Sequence, residues 1–331
     1  MWVWIPRYEY KITGQTIDVN FLDIVTSTAT SGYTIHPAFQ DGRSKNYING
    51  EWKTEIAGIW VAKFEMARED SSDSGQTWSQ TTLIGNVQTI KSGTNQIRAV
   101  SKPGLSSWRT IDIGKCYTNS YEYDRTKESH LMKNSEWGMI AYLTQSKYGR
   151  NGTKVTINSN GDTYYTGGGI KDEYATTNTN QSTTGNPSGI YDLSGNAWEY
   201  AAAYITNGND NLSTYGSSFA SSTANTNPTN VSTEYATAYP YDSTDSEANN
   251  RTNFKTNYTG IRYGDAILET GTMTSTTGSW NSEYSNFPYT VNPFFRHGGG
   301  YISVSYAGMF SFYNYNGNAY PDVSFRVVLI P

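Results

Sequence analysis

The sequence predicts an α+β domain: a small twisted antiparallel sheet with one or two helices and extensive loops. Three observations carry that expectation. Bulky residues recur at period two in several short segments, and only one segment repeats clearly at helical spacing. The composition is poor in charge (16%) and rich in Tyr (28 residues), Ser, Thr, Asn and Gly. Aromatic residues fit a pleated, half-buried surface, and small polar residues fill the turns between strands. A chain of 331 residues buries a sizeable core, and residues 1–331 read as a single domain.

The opening stretch WVWIPRYEYKI alternates bulky and polar residues and reads as a first strand. GIWVAKFEMA (58–67) reads as a second, and REDSSDSGQTWSQTT after it has the composition of a solvated excursion. The clearest helix lies within KESHLMKNSEWGMIAYLTQSKYG, where Leu131, Trp137, Ile140, Ala141 and Leu143 fall mostly on one face and Gly149 resembles a C-terminal cap. Its start is open around Asn134 and Ser135, and His130 reads as a cap-side polar residue. A weaker helical pattern spans 87–99. Residues 153–189 read as loop, with a hairpin at VTINSNGDTYYT around the turn pair Asn160-Gly161. GIYDLSGNAWEYAAAYI (189–205) stands out next. Residues 206–290 then read as a polar insertion of loops on a domain whose core lies elsewhere; a connection that long is either functional or packed through its aromatics. No period of about 20 to 50 residues repeats, which argues against a solenoid or propeller.

A net charge of −5 with no local run of Lys and Arg gives no footprint for nucleic acid. The lone Cys116 excludes an internal disulfide framework and reads as a buried or incidental thiol. This chain shows neither a signal peptide nor an apolar run long enough for direct membrane insertion. His36, His130 and His297 have no ligand-like spacing, and there is no Ser/His/Asp arrangement or phosphate-binding glycine loop.

GIYDLSGNAWEY resembles the G-x-x-D-x-x-G-N-x-W-E-W signature of the formylglycine-generating-enzyme type of C-type lectin fold. SEWGMIAYL is similar to that family's EAEWEYAA helix, and RHGGGY…SFRVVL to its RGGSW…GFR terminus. The three blocks follow family order. The resemblance implies that fold, with Trp198 in the core beside the sheet. It also implies that Asp192 and Glu199, with backbone carbonyls near Gly195 and Ala197, match positions that help hold calcium. Calcium takes about six to eight oxygens, and only two carboxylates match here. Two readings stay open: a structural calcium, or a polar turn satisfied by its own backbone amides. No cofactor is required. The family's enzymes use a cysteine pair in the terminal block, where this chain has Tyr and Ser; thiolate chemistry is unavailable without them. The expectation is a protein that is not an enzyme, with a divergent enzyme of the same type as one alternative.

The terminus, 296–329, also resembles the variable region of diversity-generating-retroelement variable proteins, which share this fold. Such systems randomise adenines, so Asn codons become any pyrimidine-ending codon. Those codons reach Tyr, Ser, Asp, Ile and Val but never Lys, Glu, Gln, Met or Trp. From His297 to Val323 there is no Lys, Glu, Gln or Trp, and Met309 sits within a fixed frame. On this resemblance Gly298, Gly299, Ala307, Gly308, Phe310, Phe312, Gly317, Ala319 and Phe325 belong to the frame. Tyr301, Ile302, Ser303, Ser305, Tyr306, Ser311, Tyr313, Tyr315, Tyr320, Asp322 and Val323 occupy variable, ligand-binding slots. The function so implied is non-catalytic recognition of a protein or glycan receptor on a cell surface, displayed on a phage particle or bacterial cell exterior. A further alternative is an undiversified adhesin or structural tail protein.

Overall fold

Pro6 divides the opening stretch into two strands. It offers no N–H to a ladder, and Arg7 behind it turns its guanidinium inward onto the Phe39 carbonyl (2.8 Å). Trp2–Pro6 and Tyr8–Thr13 consequently join different sheets, where one strand was expected. The computed structural model describes residues 1–23, 28–40, 52–80, 85–226, 232–257, 264–272 and 277–331. The fold is mixed α+β with several small, mainly antiparallel sheets.

The first sheet runs Trp2–Pro6, Gly58–Ala62, Val327–Leu329, His130–Leu131, with every pairing antiparallel. The last strand of the chain is thus an interior strand. The expected strand over 58–67 stops at Ala62, and Ala67–Ser71 begins a different sheet with Ser79–Gln80 and Gln96–Val100. The polar stretch after it is therefore partly strand. Its charged residues pair across the ladder, Glu69 with Arg98 (2.6 Å) and Lys102 (2.7 Å). The weak helical pattern over 87–99 forms no helix and ends in the strand Gln96–Val100; residues 81 and 82 of the excursion lie outside the described residues. Tyr8–Thr13 lies between Thr16–Phe21 and Thr34–Ile35 in a sheet of its own.

The sheet that builds the site contains Thr237–Tyr239, Trp198–Ile205, Phe294–Gly298 and Gly308–Tyr315 in that order, with Val323–Phe325 also paired to Trp198–Ile205. It departs from the expected antiparallel arrangement, because Trp198–Ile205 pairs in parallel with both Thr237–Tyr239 and Val323–Phe325. The alternation is strict. Trp198, Tyr200, Ala202 and Tyr204 enter one core cluster with Phe294 and Phe325. Ala201, Ala203 and Ile205 enter another with Phe295 and Phe312. That second cluster is closed by Tyr239, Phe254, Ile267 and Phe287, all from the segment expected to be an insertion. The segment is thus packed through its aromatics and forms part of the core. It includes the helix Glu247–Asn257, whose Glu247 carboxylate accepts from Arg251 (2.8 Å) and from the Phe287 N–H (3.0 Å). Residues 227–231, 258–263 and 273–276 of it lie outside the described residues.

The expected helix is Asn134–Gln145, with Glu136 reaching back to accept from the Lys133 N–H (2.9 Å), the geometry of a capping box. It ends at Gln145, with extended Ser146 as its C-cap, short of Gly149. His130 is a buried strand residue rather than a cap, its Nε2 2.8 Å from Glu136 Oε1. A second helix, Ile113–Tyr121, carries Cys116 and is capped by the Asp112 side chain accepting from the Lys115 N–H (2.8 Å). No hairpin forms at 155–166. The chain makes short 3₁₀ turns there, and Asn158 Nδ2 donates to the Tyr165 carbonyl (3.1 Å). Among the described residues no helix is long and apolar enough to cross a membrane.

Candidate ligand-binding face

Residues directly opposite one another in a sheet project to the same side. Arg296 is opposite Tyr200 on one neighbour and Tyr313 on the other, with Trp198 and Tyr315 two residues along. The guanidinium is accordingly flanked by rings, its central carbon 4.1 Å from the Tyr315 centroid, 4.5 Å from Trp198 and 5.5 Å from Tyr313. Tyr284 extends the array, 5.8 Å from Trp198, 5.7 Å from Tyr313 and 5.2 Å from Tyr306. At the other end Tyr315 meets Tyr320 at 5.8 Å. The result is an aromatic row, Tyr306, Tyr284, Tyr313, Tyr315, Tyr320, with Trp198 and Arg296 at its floor.

Two loops complete the face, and both are fixed by backbone. Residues 301–306 form a 3₁₀ turn in which the Tyr301 N–H donates to the Asn196 carbonyl (2.9 Å) and Lys154 Nζ to the Ser305 carbonyl (2.6 Å). The 316–322 loop is held from the Ile113 helix side: the Ile113 N–H donates to Gly317 O (3.0 Å) and the Thr110 N–H to Tyr320 O (3.1 Å). Arg109 donates to the Pro321 carbonyl and lies 3.6 Å from the Tyr164 ring, which meets Tyr301 edge-on at 5.0 Å.

The frame and the expected slots separate by burial, with three exceptions. Gly298, Gly299, Ala307, Gly308, Phe310, Phe312, Gly317 and Phe325 are buried, and Ala319 is half-buried. Two glycines have steric reasons. At Gly299, φ is +75° and a Cβ would fall 2.6 Å from the Ala307 methyl. At Gly308 a Cβ would strike the Glu283 carboxylate at 1.9 Å. Ile302 (64% exposed) and Tyr320 (46%) are open to solvent, as is Ser305, and Tyr301, Tyr306, Tyr313, Tyr315 and Asp322 are half-buried. Ser303, Ser311 and Val323 are buried, which corrects their expected place on the outward surface. Ser303 accepts from the Gly300 N–H (3.1 Å), Ser311 lies where the pairing of Phe294–Gly298 with Gly308–Tyr315 shifts register, and Val323 pairs with Trp198 inside the sheet.

The floor is electrostatically uncommon. Arg296 is only 9% exposed, and its Nε and Nη1 have no hydrogen-bond partner among the described residues. Its ion pair with Asp322 spans 3.8 Å, and the facing Asp322 Oδ1 is itself without a hydrogen bond. Burial raises the Asp322 carboxyl above its ordinary range while Arg296 opposes the rise. Burial likewise pushes the Tyr315 hydroxyl up to about 12, so it is a neutral donor at physiological pH.

Asp192 and Glu199 come close together in a second, fully internal site. Asp192 Oδ1 accepts from the Gly167 N–H (2.8 Å) and Asn158 Nδ2 (3.0 Å). Glu199 is held by Arg326 through two bonds, 2.6 Å and 3.0 Å, and Arg326 also donates to the carbonyls of Ala62 and Tyr191. Burial pushes Glu199 up to about 7 and Asp192 to about 6, against the pull of Arg326. This donor set does not fit calcium: a guanidinium already engages both Glu199 oxygens, and Asp192 is satisfied by amides. Among the described residues no group of three or more His, Cys, Asp and Glu has the geometry to hold a metal. Cys116 is fully buried, with its thiol pushed well up by burial. His36 and His297 are lowered to about 3 by burial.

Sequence reasoning missed Tyr284, Arg296, Arg109 and Tyr164 as members of the face, and placed Trp198 only in the core. Arg296 carried a signal, since it opens the RHGGG block. Tyr284 and Tyr164 sit in segments without periodicity and gave none. Comparison with known protein families and with characterised proteins finds no match for the chain.

Proposed function

We propose that this protein is a non-catalytic receptor-binding protein with the C-type lectin fold of the formylglycine-generating-enzyme type. Its C-terminal face is diversified by adenine mutagenesis and displayed on a phage particle or a bacterial cell exterior. One observation carries the reading: within 296–329 the glycine and phenylalanine frame is buried, while the slots Tyr306, Tyr313, Tyr315, Tyr320 and Asp322 converge with Trp198 and Arg296 on one aromatic face. Tyr provides large amphipathic contact area at low side-chain entropy cost, and Ser and Asn adapt their hydrogen bonds to the partner. Mounting these side chains on strands and tied loops lowers the ordering cost of binding. The receptor is a protein or glycan on a cell surface.

Sequencing the encoding locus tests the proposal. The expected result is a near-copy of the 296–329 coding segment beside a reverse transcriptase gene, differing from it only at adenines of the copy. Differences should fall at the open slots, with small or apolar residues retained at Ser303, Ser311 and Val323. A locus without such a copy overturns diversification and leaves a fixed adhesin.

A further inference from the structure

Arg296 lies outside the expected variable slots while its neighbours Tyr313, Tyr315 and Asp322 are among them, and one of these neighbours offsets its charge. Arg296 sits on an interior strand and is only 9% exposed, and its Nε and Nη1 have no hydrogen-bond partner among the described residues. A buried, unpaired guanidinium donor is costly and gains strongly from a carboxylate in hydrogen-bonding range. Asp322 supplies a charge at 3.8 Å without a hydrogen bond. Arg109, whose Nε likewise has no hydrogen-bond partner among the described residues, acts electrostatically on the same carboxylate. Two guanidinium groups therefore share one acid that satisfies neither.

The backbone at 322 is also tied to the sheet independently of its side chain. Its carbonyl accepts from the Trp198 N–H (2.8 Å), and Val323 beside it is fixed in the sheet. The side chain can change without moving the strand. Asp is one adenine change from Asn, the codon from which such slots derive. We propose that residue 322 determines the charge preference of the face. With Asp322 the internal acid offsets Arg296 and Arg109, and the face takes neutral or polar partners. With Asn or Ser at 322 the two guanidinium groups take a carboxylate from an acidic side chain of a partner protein. A protein partner is favoured because Tyr, Trp and Arg around a desolvated centre are the composition of protein-binding hot spots. This rests on the reading of the face as a binding surface.

The test measures binding of the full chain, Asp322→Asn, Asp322→Ser, and each combined with Arg296→Met, to immobilised poly-L-glutamate at low salt. Poly-L-glutamine and polysialic acid serve as controls. Met keeps apolar contact with the surrounding rings. Asp210→Asn, on the exposed surface, controls for net charge. The expected result is about tenfold tighter binding to poly-L-glutamate for both single 322 variants, lost when Arg296→Met is added and absent in Asp210→Asn. The inference is overturned by folded 322 variants that show no gain, by a gain that survives Arg296→Met or appears in Asp210→Asn, or by an equal gain on polysialic acid. A template copy at the locus together with any of these results removes the role of residue 322 and leaves diversification standing.

Discussion

The two sides of the Trp198–Ile205 sheet use the same strands to opposite ends. On one side Ala201, Ala203, Ile205, Phe295 and Phe312 are sealed by Tyr239, Phe254, Ile267 and Phe287. On the other, Trp198 and Arg296 pack with Tyr284, Tyr313 and Tyr315, whose own outer surfaces are half open. Adjacent residues along one strand thus fall under different rules. Phe312 is fully buried, and Tyr313 beside it is half-buried on the open side. The difference teaches that side-chain parity separates a sealed face that carries stability from an open face on which recognition is proposed, since successive residues of a strand point to opposite faces.

Breaking the internal ion pair should have the largest effect. Arg326→Met leaves Glu199 buried without its cation, and loss of one partner of such a pair costs about 3–5 kcal/mol, to be read from urea denaturation at neutral pH. Phe312→Ala on the sealed side should cost a similar amount, about 3–5 kcal/mol. The open side should respond differently: Tyr315→Ala removes a half-buried ring and should cost about 1 kcal/mol by the same measurement. If the two substitutions cost the same, the division between the sides is wrong. Combining Tyr306→Ala, Tyr313→Ala and Tyr315→Ala should abolish receptor binding while the chain still melts cooperatively.

A pH series sharpens the same contrast. Asp265 lies on the sealed side, accepting from Tyr239 (2.9 Å) and the Ile267 N–H (3.0 Å). Burial, then the charge of Glu269, raises it to about 7. A carboxyl whose folded pKa is raised binds its proton more tightly when folded, so its stabilising contribution is complete below its unfolded pKa and is lost as pH rises toward 7. Asp265→Asn keeps a neutral side chain throughout. Its stability relative to the parent should therefore increase between pH 4 and pH 7, by up to about 1.4 kcal/mol per pH unit, and level off above. A flat difference across that window would mean Asp265 is ionised when folded. The smallest effect is expected at the most exposed slot, where Ile302→Ala should change stability by no more than about 0.5 kcal/mol.

Much of this division was legible before the structure. The resemblance placed Trp198 in the core and assigned the glycine and phenylalanine frame of the terminus, and the structure supplies the steric reasons at Gly299 and Gly308. Other elements were hidden for identifiable reasons. The helix Ile113–Tyr121 is rich in Thr, Asn, Ser and Tyr, and its clearest signal is the Asp112 cap. The helix Glu247–Asn257 has Phe254 as its single large apolar residue, and its place is set by Phe287 and Tyr239 from distant sequence. Ser303, Ser311 and Val323 were misplaced because a codon pattern describes how a residue can arise and carries no information on burial. Arg296 was overlooked because a charged residue in a strand is read as solvent-facing until its ring neighbours are known.

The strand Val327–Leu329 pairs on one edge with Gly58–Ala62 and on the other with His130–Leu131. It follows every expected slot of the candidate face in the chain, yet two distant segments pair with it through their hydrogen bonds. A copy of the gene that lost its reading frame anywhere in the face would yield a chain missing an interior strand of another sheet. Such a chain should unfold and be degraded before it is assembled. If the face is diversified as proposed, folding proofreads each new version for an intact frame and for small or apolar residues at the buried positions 303, 311 and 323, while tolerating change at the open slots.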